Sequence, residues 1–322
     1  MSRTLGGMLI LTENHTMVPP GDLHGLVEMA EAAERAGMDA VMLGDHVCLG
    51  PSAGALGRPQ NPRSYAAPGN QDPSTEWPSS IVMAAAIAAS TSRVRIALAA
   101  LITPLRNPVV LAKDLATLDR LSGGRLVVQP TVSWARDEYR AVGVPFENRG
   151  RILDDGLAAM KALWRDAPAS YEGEYFSFDT VYSRPSPMSS EGPALWFGGQ
   201  GMHPQLLRRL VAHGSGFHPF GSPSSADLEA LDAGLREAGR SVGEMEMVGG
   251  TRATFDGPDA VADLDVAMAS FGEQVAQGYT TFCMKPSQHT DDVDEVESLC
   301  ERLVGRLSLL GEARIDYLGP ND

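Results

Sequence analysis

Eight short apolar runs alternate with amphipathic stretches along this chain, and no other feature restricts its fold as strongly. The runs fall at 8–12, 39–43, 94–101, 125–131, 194–197, 215–218, 245–254 and 279–284. Between them the apolar residues recur at helical spacing. Leu23, Leu26, Val27, Ala30 and Ala33 mark the first such segment, which Gly37 ends. Further helices are predicted at 81–89, 108–121, 151–165, 203–213, 226–238, 259–277 and 293–309. Strict alternation implies parallel strands joined by crossover helices. Eight repeats within 322 residues favour a closed (β/α)8 barrel, one α/β domain over 1–322, above an open doubly wound sheet. No G-x-G-x-x-G or Walker pattern argues otherwise.

Two interruptions break the alternation. Residues 49–77, after the second strand, are rich in Pro, Gly, Ser and Asn. Such a loop emerges at the carboxyl ends of the strands, where barrel proteins bind ligands, so it reads as a lid. Residues 167–192 precede the fifth barrel strand and carry aromatic alternation around Gly173, which predicts a small hairpin insertion.

The formal net charge of -15 repels polyanions, which argues against nucleic acid and anionic membranes as partners and leaves small molecules. Cys48, Cys283 and Cys300 lie far apart and form no C-x-x-C pair, so neither a disulfide framework nor a structural metal site is expected. The most apolar region, 81–105, is interrupted by Arg93 and Arg95 and is not a membrane span. A cytoplasmic protein is the expectation, with its oligomeric state, a homodimer included, left open.

Position in the barrel selects the candidate site. Asp45 and His46 end the second strand, and a titratable pair there faces the pocket. A buried core histidine is the alternative. Glu13 and Asn14 follow the first strand, Thr103 the third, Thr131, Ser133 and Trp134 the fourth, and Lys285 the eighth. Of three lysines, Lys285 alone stands at a strand's carboxyl end. Gly198, Gly199, Gln200 and Gly201 follow the fifth strand and precede a helix, an arrangement that offers bare amides to an anion or forms a plain tight turn. Gly123 and Gly124 join a helix to a strand at the opposite end and read as punctuation.

An ordered set of motifs resembles the luciferase-like monooxygenase superfamily. It comprises Ala36-Gly-Met-Asp-Ala-Val, Gly44-Asp-His, Arg93-Val-Arg-Ile-Ala-Leu, Pro104-Leu-Arg-Asn-Pro, Leu111-Ala-Lys and Leu118-Asp-Arg-Leu-Ser-Gly-Gly-Arg. It continues through Asp137-Glu-Tyr, Gly143-Val-Pro-Phe, Leu163-Trp and Pro193-Ala-Leu-Trp-Phe-Gly-Gly. Gln129-Pro-Thr-Val-Ser-Trp departs from the Gly-rich run usual at strand four. The resemblance implies a barrel with a flavin-like ring over the strand ends and its phosphate near Gly198 and Gly199. The Asp-His ending resembles the branch that uses the deazaflavin F420, with FMN as the alternative cofactor.

On that resemblance the chain is expected to be an F420-dependent oxidoreductase acting on a small organic substrate. His46 handles the proton, Asp45 orients it and Glu13 is the second acid-base candidate; Thr103, Thr131, Ser133, the 198–201 turn and Lys285 contact the cofactor. Lys285, Arg252, Arg58 and Arg63 are expected to form a basic rim for the anionic F420 tail. The rival readings are an FMN-dependent monooxygenase, a Schiff-base lyase using Lys285, a metal-dependent barrel hydrolase, and a catalytically silent flavin binder.

Overall fold

A computed structural model describes residues 4–19 and 21–318, with side chains to residue 312. Eight parallel strands close on themselves: β1 (Gly6–Ile10), β2 (Ala40–Leu43), β3 (Arg95–Ile102), β4 (Leu126–Thr131), β7 (Ala194–Phe197), β8 (Gly216–Phe217), β9 (Glu246–Gly250) and β10 (Thr281–Met284). The barrel order is β1-β10-β9-β8-β7-β4-β3-β2, and the Met8–Ala40 register joins β1 to β2. The predicted (β/α)8 barrel is therefore present. The insertion before the fifth barrel strand is an antiparallel hairpin of β5 (Ala169–Glu172) and β6 (Ser177–Val181), as the aromatic alternation predicted.

The helices are α1 (Leu23–Arg35), α2 (Ser80–Ser90), α3 (Pro108–Leu121), α4 (Arg136–Ala141), α5 (Arg149–Arg165), α6 (Pro204–His213), α7 (Ser225–Glu237), α8 (Leu264–Ala267), α9 (Phe271–Ala276) and α10 (Val296–Leu318). Side chains alternate along each strand between two cores. Inside the barrel Met8, Ala40, Ala97, Ala99, Val127 and Val248 pack around Trp196, the small alanines leaving room for the indole. Outside, Leu9, Val41, Ile96, Leu98 and Val128 meet the helices in a larger core. Each fully buried aliphatic side chain contributes about 1.5–3 kcal/mol.

Several predicted elements differ, and the last helix, predicted at 293–309, runs from Val296 to Leu318. The first strand lies two residues earlier than 8–12, and β9 stops at Gly250 instead of 254. The long helix predicted at 259–277 is two short ones and begins late, because the Ala262 amide bonds the Gln288 carbonyl and Asp263 caps the start at Leu264. Tertiary hydrogen bonding there overrides local periodicity. No helix among the described residues is long and apolar enough to cross a membrane.

The 49–77 segment crosses the mouth of the barrel and is tied down on several sides. Ser52 bonds Asp137, the Asn61 amide donates to the Gly257 and Ala260 carbonyls, and Arg63 pairs with Asp291. Its end brings Trp77 beside β2.

Candidate active site

His46 leaves β2 into a corner built from three elements. Its Nδ1 lies 3.2 Å from Oε1 of Glu138, a carboxylate on α4 with no solvent exposure. The same Oε1 accepts the Val47 amide at 2.8 Å, and the Ser133 hydroxyl donates to Oε2 at 3.1 Å. Trp77 and Trp134 stand edge-on to the imidazole, with centroids 4.8 and 5.9 Å away. The carboxylate therefore takes the Nδ1 side of the ring. Nε2 has no hydrogen-bond partner among the described residues and is not a fully buried orphan, so that side of the ring is left open.

Asp45 corrects an expectation. It does not orient His46; its oxygens are taken by Arg106 at 2.8 and 2.9 Å, the Ser80 hydroxyl at 2.9 Å and the Ile102 amide at 2.9 Å. Both residues lie past the end of β2, and the turn there sends the acid toward Arg106 and Ser80 and the histidine toward Glu138. The acid that contacts the imidazole is Glu138, which sequence reasoning missed as a site residue. Its signal was present only as part of Asp137-Glu-Tyr.

The other predicted residues separate into free and committed groups. Ser133 sits at φ 55° and uses its hydroxyl on Glu138, while the buried Thr103 hydroxyl donates to the Leu101 carbonyl at 3.2 Å. Thr131 is half-buried at the end of β4. Glu13 turns through φ 64° at the mouth, a conformation uncommon for a side chain-bearing residue.

Lys285 is buried under the lid, where its Nζ donates to the Ser64 carbonyl. Burial lowers its pKa and the charge of Glu13 opposes that shift. The expected basic rim is thereby corrected. Lys285 is covered, Arg63 is buried against Asp291, and Arg58 pairs with Asp72, leaving Arg252 as the exposed member without an ion pair among the described residues.

Within the 198–201 turn the glycines differ. A Cβ at Gly198 would fall 1.7 Å from the His218 carbonyl oxygen, so that glycine serves the close approach of β7 and β8, not a ligand. A Cβ at Gly201 meets nothing within 4 Å, and no protein acceptor among the described residues takes the amides of Gly199, Gln200 and Gly201. The helix end adds less than expected. Pro204 has no N–H, the His203 side chain caps the Leu206 amide at 3.2 Å, and Asp227 accepts the Met202 amide at 3.1 Å. Three open amides beside empty space fit an anion such as a phosphate. Trp77 Nε1, buried and unpartnered near His46, adds an unused donor in the mouth. No cluster of potential metal ligands occurs among the described residues.

The family model of luciferase-like monooxygenases matches residues 5–295, and the chain belongs to that family. An F420-dependent glucose-6-phosphate dehydrogenase of Kineococcus radiotolerans is 31% identical over 250 residues, 74% of this chain and 66% of that protein. An FMNH(2)-dependent dimethylsulfone monooxygenase of Pseudomonas putida is 30% identical over 123 residues, 37% of this chain and 34% of that protein. Uncharacterised Mycobacterium relatives at 40% identity match over 110 residues, so the chain spans only 39% of their length. Among solved structures, an F420-dependent secondary alcohol dehydrogenase with an F420-acetone adduct has a TM-score of 0.72 at 17% identity, covering 94% of this chain and 99% of that one. That likeness is one of fold. The chain is thus a member of an oxidoreductase family whose relatives use flavins or deazaflavins.

Proposed function

We propose that this protein is an F420-dependent oxidoreductase that moves a hydride between the deazaflavin C5 and a small organic substrate, with His46 carrying the matching proton. The observation that carries the reading is the His46 corner. The imidazole is backed on Nδ1 by a buried carboxylate, flanked by two indoles and open at Nε2. A histidine held in one tautomer with its other nitrogen facing the pocket suits general acid-base work near neutral pH. The bound deazaflavin would supply the hydride chemistry. Gly199, Gln200 and Gly201 would hold its phosphate through their amides, and the lid would exclude water.

In the forward sense His46 Nε2 gives a proton to the substrate atom on which negative charge develops. In reverse it removes one. Glu138 stabilises the imidazolium and keeps Nδ1 as the nitrogen that donates to it. Glu13, on the neighbouring strand end, is the second group placed to exchange protons with the mouth.

The extent of the matches supports F420, since the F420-dependent relative aligns over twice as much of this chain as the FMNH(2)-dependent one. The latter favours a second reading, an FMN-dependent monooxygenase, because the same amides suit an FMN phosphate. Anaerobic reactions with reduced F420 and a panel of ketones and activated alkenes test the choice. Oxidation of F420 without oxygen is the expected result. Product formed only with reduced FMN and oxygen would establish the monooxygenase reading instead.

A further inference from the structure

His218 is 6% exposed and Gln129 1%, and their side chains meet inside the barrel. Nδ1 of the imidazole lies 2.8 Å from Oε1 of Gln129. A carbonyl oxygen only accepts, so Nδ1 carries the proton. The amide takes this orientation because its Nε2 approaches the His218 carbonyl at 3.5 Å; turned over, it would set oxygen against oxygen. Burial lowers the His218 pKa to about 4, which keeps the ring neutral at ordinary pH. Nε2 is then a bare acceptor. It has no hydrogen-bond partner among the described residues and is not a fully buried orphan, so it is accessible.

The pair sits at the base of the mouth. Gln129 follows Val127 by two residues on β4 and faces the barrel interior with it, while the His218 ring stands 6.3 Å from that of Trp196 in the inner core. Gln129 also opens Gln129-Pro-Thr-Val-Ser-Trp, the departure from the Gly-rich run that no role has yet absorbed. β7 runs between β4 and β8, and the pair bridges beneath the turn that leaves it. A Cβ at Gly198 would fall 1.7 Å from the His218 carbonyl oxygen and 2.9 Å from Gln129 Nε2, and the Phe220 amide donates to the Gly199 carbonyl at 3.0 Å.

We propose that His218 Nε2 accepts a hydrogen bond from a hydroxyl of the cofactor's polyol chain, with Gln129 as the positioning residue that holds the required tautomer. The identity of this ligand rests on the cofactor reading above. FMN and F420 both join ring to phosphate through such a chain. With the ring beside His46 after β2 and the phosphate on the amides of Gly199, Gln200 and Gly201 after β7, the chain crosses the mouth and descends over the pair. A phosphate dianion, a carboxylate or a ketone oxygen would set lone pair against lone pair at Nε2, whereas a hydroxyl donates to it.

Protein labelled with 15N at its seven histidines is observed by NMR alone and with FMN, F420, lumiflavin or inorganic phosphate. The His218 signals, assigned by their loss in His218→Asn, should show Nδ1 protonated and Nε2 bare in the free protein. Saturating FMN or F420 should shift Nε2 as a new hydrogen bond does; lumiflavin, which lacks the polyol chain, and phosphate should not. Two substitutions separate the acceptor from the scaffold. His218→Asn keeps a donor for Gln129 and leaves no atom where Nε2 stood, and His218→Gln does the reverse. FMN and F420 affinity should fall about three- to tenfold in His218→Asn, as loss of one neutral hydrogen bond does, and less in His218→Gln. A purely structural tie between β4 and β8 requires the opposite order. That order, unchanged affinity in His218→Asn, a protonated Nε2 in the free protein, or cofactor binding that leaves the Nε2 signal in place would each overturn the proposal. Failure of the wild type to bind either cofactor would overturn the cofactor reading as well, whereas binding without the His218 shift overturns this proposal alone.

Discussion

The floor and the mouth of this barrel handle charge in opposite ways. At the floor Arg95 pairs with both Asp39 and Glu246, the Thr281 hydroxyl donates to Glu246, and the guanidinium lies 5.7 Å from the Trp196 ring. Glu34 collects the amides of Ser92, Arg93 and Val94. At the mouth, among the described residues, Lys285 lacks an ion pair, His46 leaves Nε2 open, Trp77 Nε1 is an orphan and three consecutive amides have no protein acceptor. Satisfied groups contribute stability, while unsatisfied ones wait for a ligand. In a barrel of this kind that division separates the end that holds the fold from the end that acts.

The sharpest way to break the contrast is at His46. His46→Asn should lower turnover about 10²- to 10⁴-fold while melting temperature and cofactor affinity change little. Steady-state rates beside binding titrations check this, and undiminished turnover would remove His46 from the chemistry. A second probe fills the open space of the turn. Gly201→Val should fold normally and weaken cofactor binding roughly ten- to a hundredfold, the equivalent of one or two lost bonds to an anion. Unchanged affinity would leave the turn as a connection only.

At the floor the signature should invert. Arg95→Met is expected to cost about 1.5–3 kcal/mol of stability by removing the charged hydrogen bonds to Asp39 and Glu246, with turnover of the folded enzyme preserved. Denaturant melts and rates measured together decide it; a large rate loss at full stability would erase the division between the two ends. The smallest effect concerns acid. Burial pushes the Glu34 carboxyl up, but the Val94, Arg93 and Ser92 amides outweigh it and hold the pKa down at about 2, against an ordinary 4.5. The unfolded chain then binds that proton first as pH falls. The stabilisation is present above about pH 4.5 and lost as pH falls toward 2. The melting-temperature gap between wild type and Glu34→Gln should therefore close across that window, and a gap independent of pH would refute the assignment.

Much of the fold was legible because strand and helix periods are local properties. α3 and β7 have the predicted bounds, and the hairpin follows from its aromatic alternation. The late start of helix in the 259–277 stretch was not legible, since it depends on the Gln288 carbonyl, more than twenty residues away in sequence. For the site, position along β2 pointed to the mouth but could not divide Asp45 from His46, because side-chain direction past a strand end depends on the turn. Glu138 meets His46 across 92 residues of sequence, a contact that no spacing rule reports. Lys285 was visible as a strand-end lysine, whereas its burial came from an aperiodic lid whose path only tertiary contacts define.

The central proposal is that the amides of Gly199, Gln200 and Gly201 and the open side of His46 serve a bound deazaflavin. The most direct measurement is the absorbance of purified protein titrated in parallel with F420 and with FMN. We predict saturable F420 binding tighter than that of FMN, with F420 affinity weakened in Gly201→Val and retained in Arg95→Met. Tight FMN binding with no detectable F420 affinity would contradict the account.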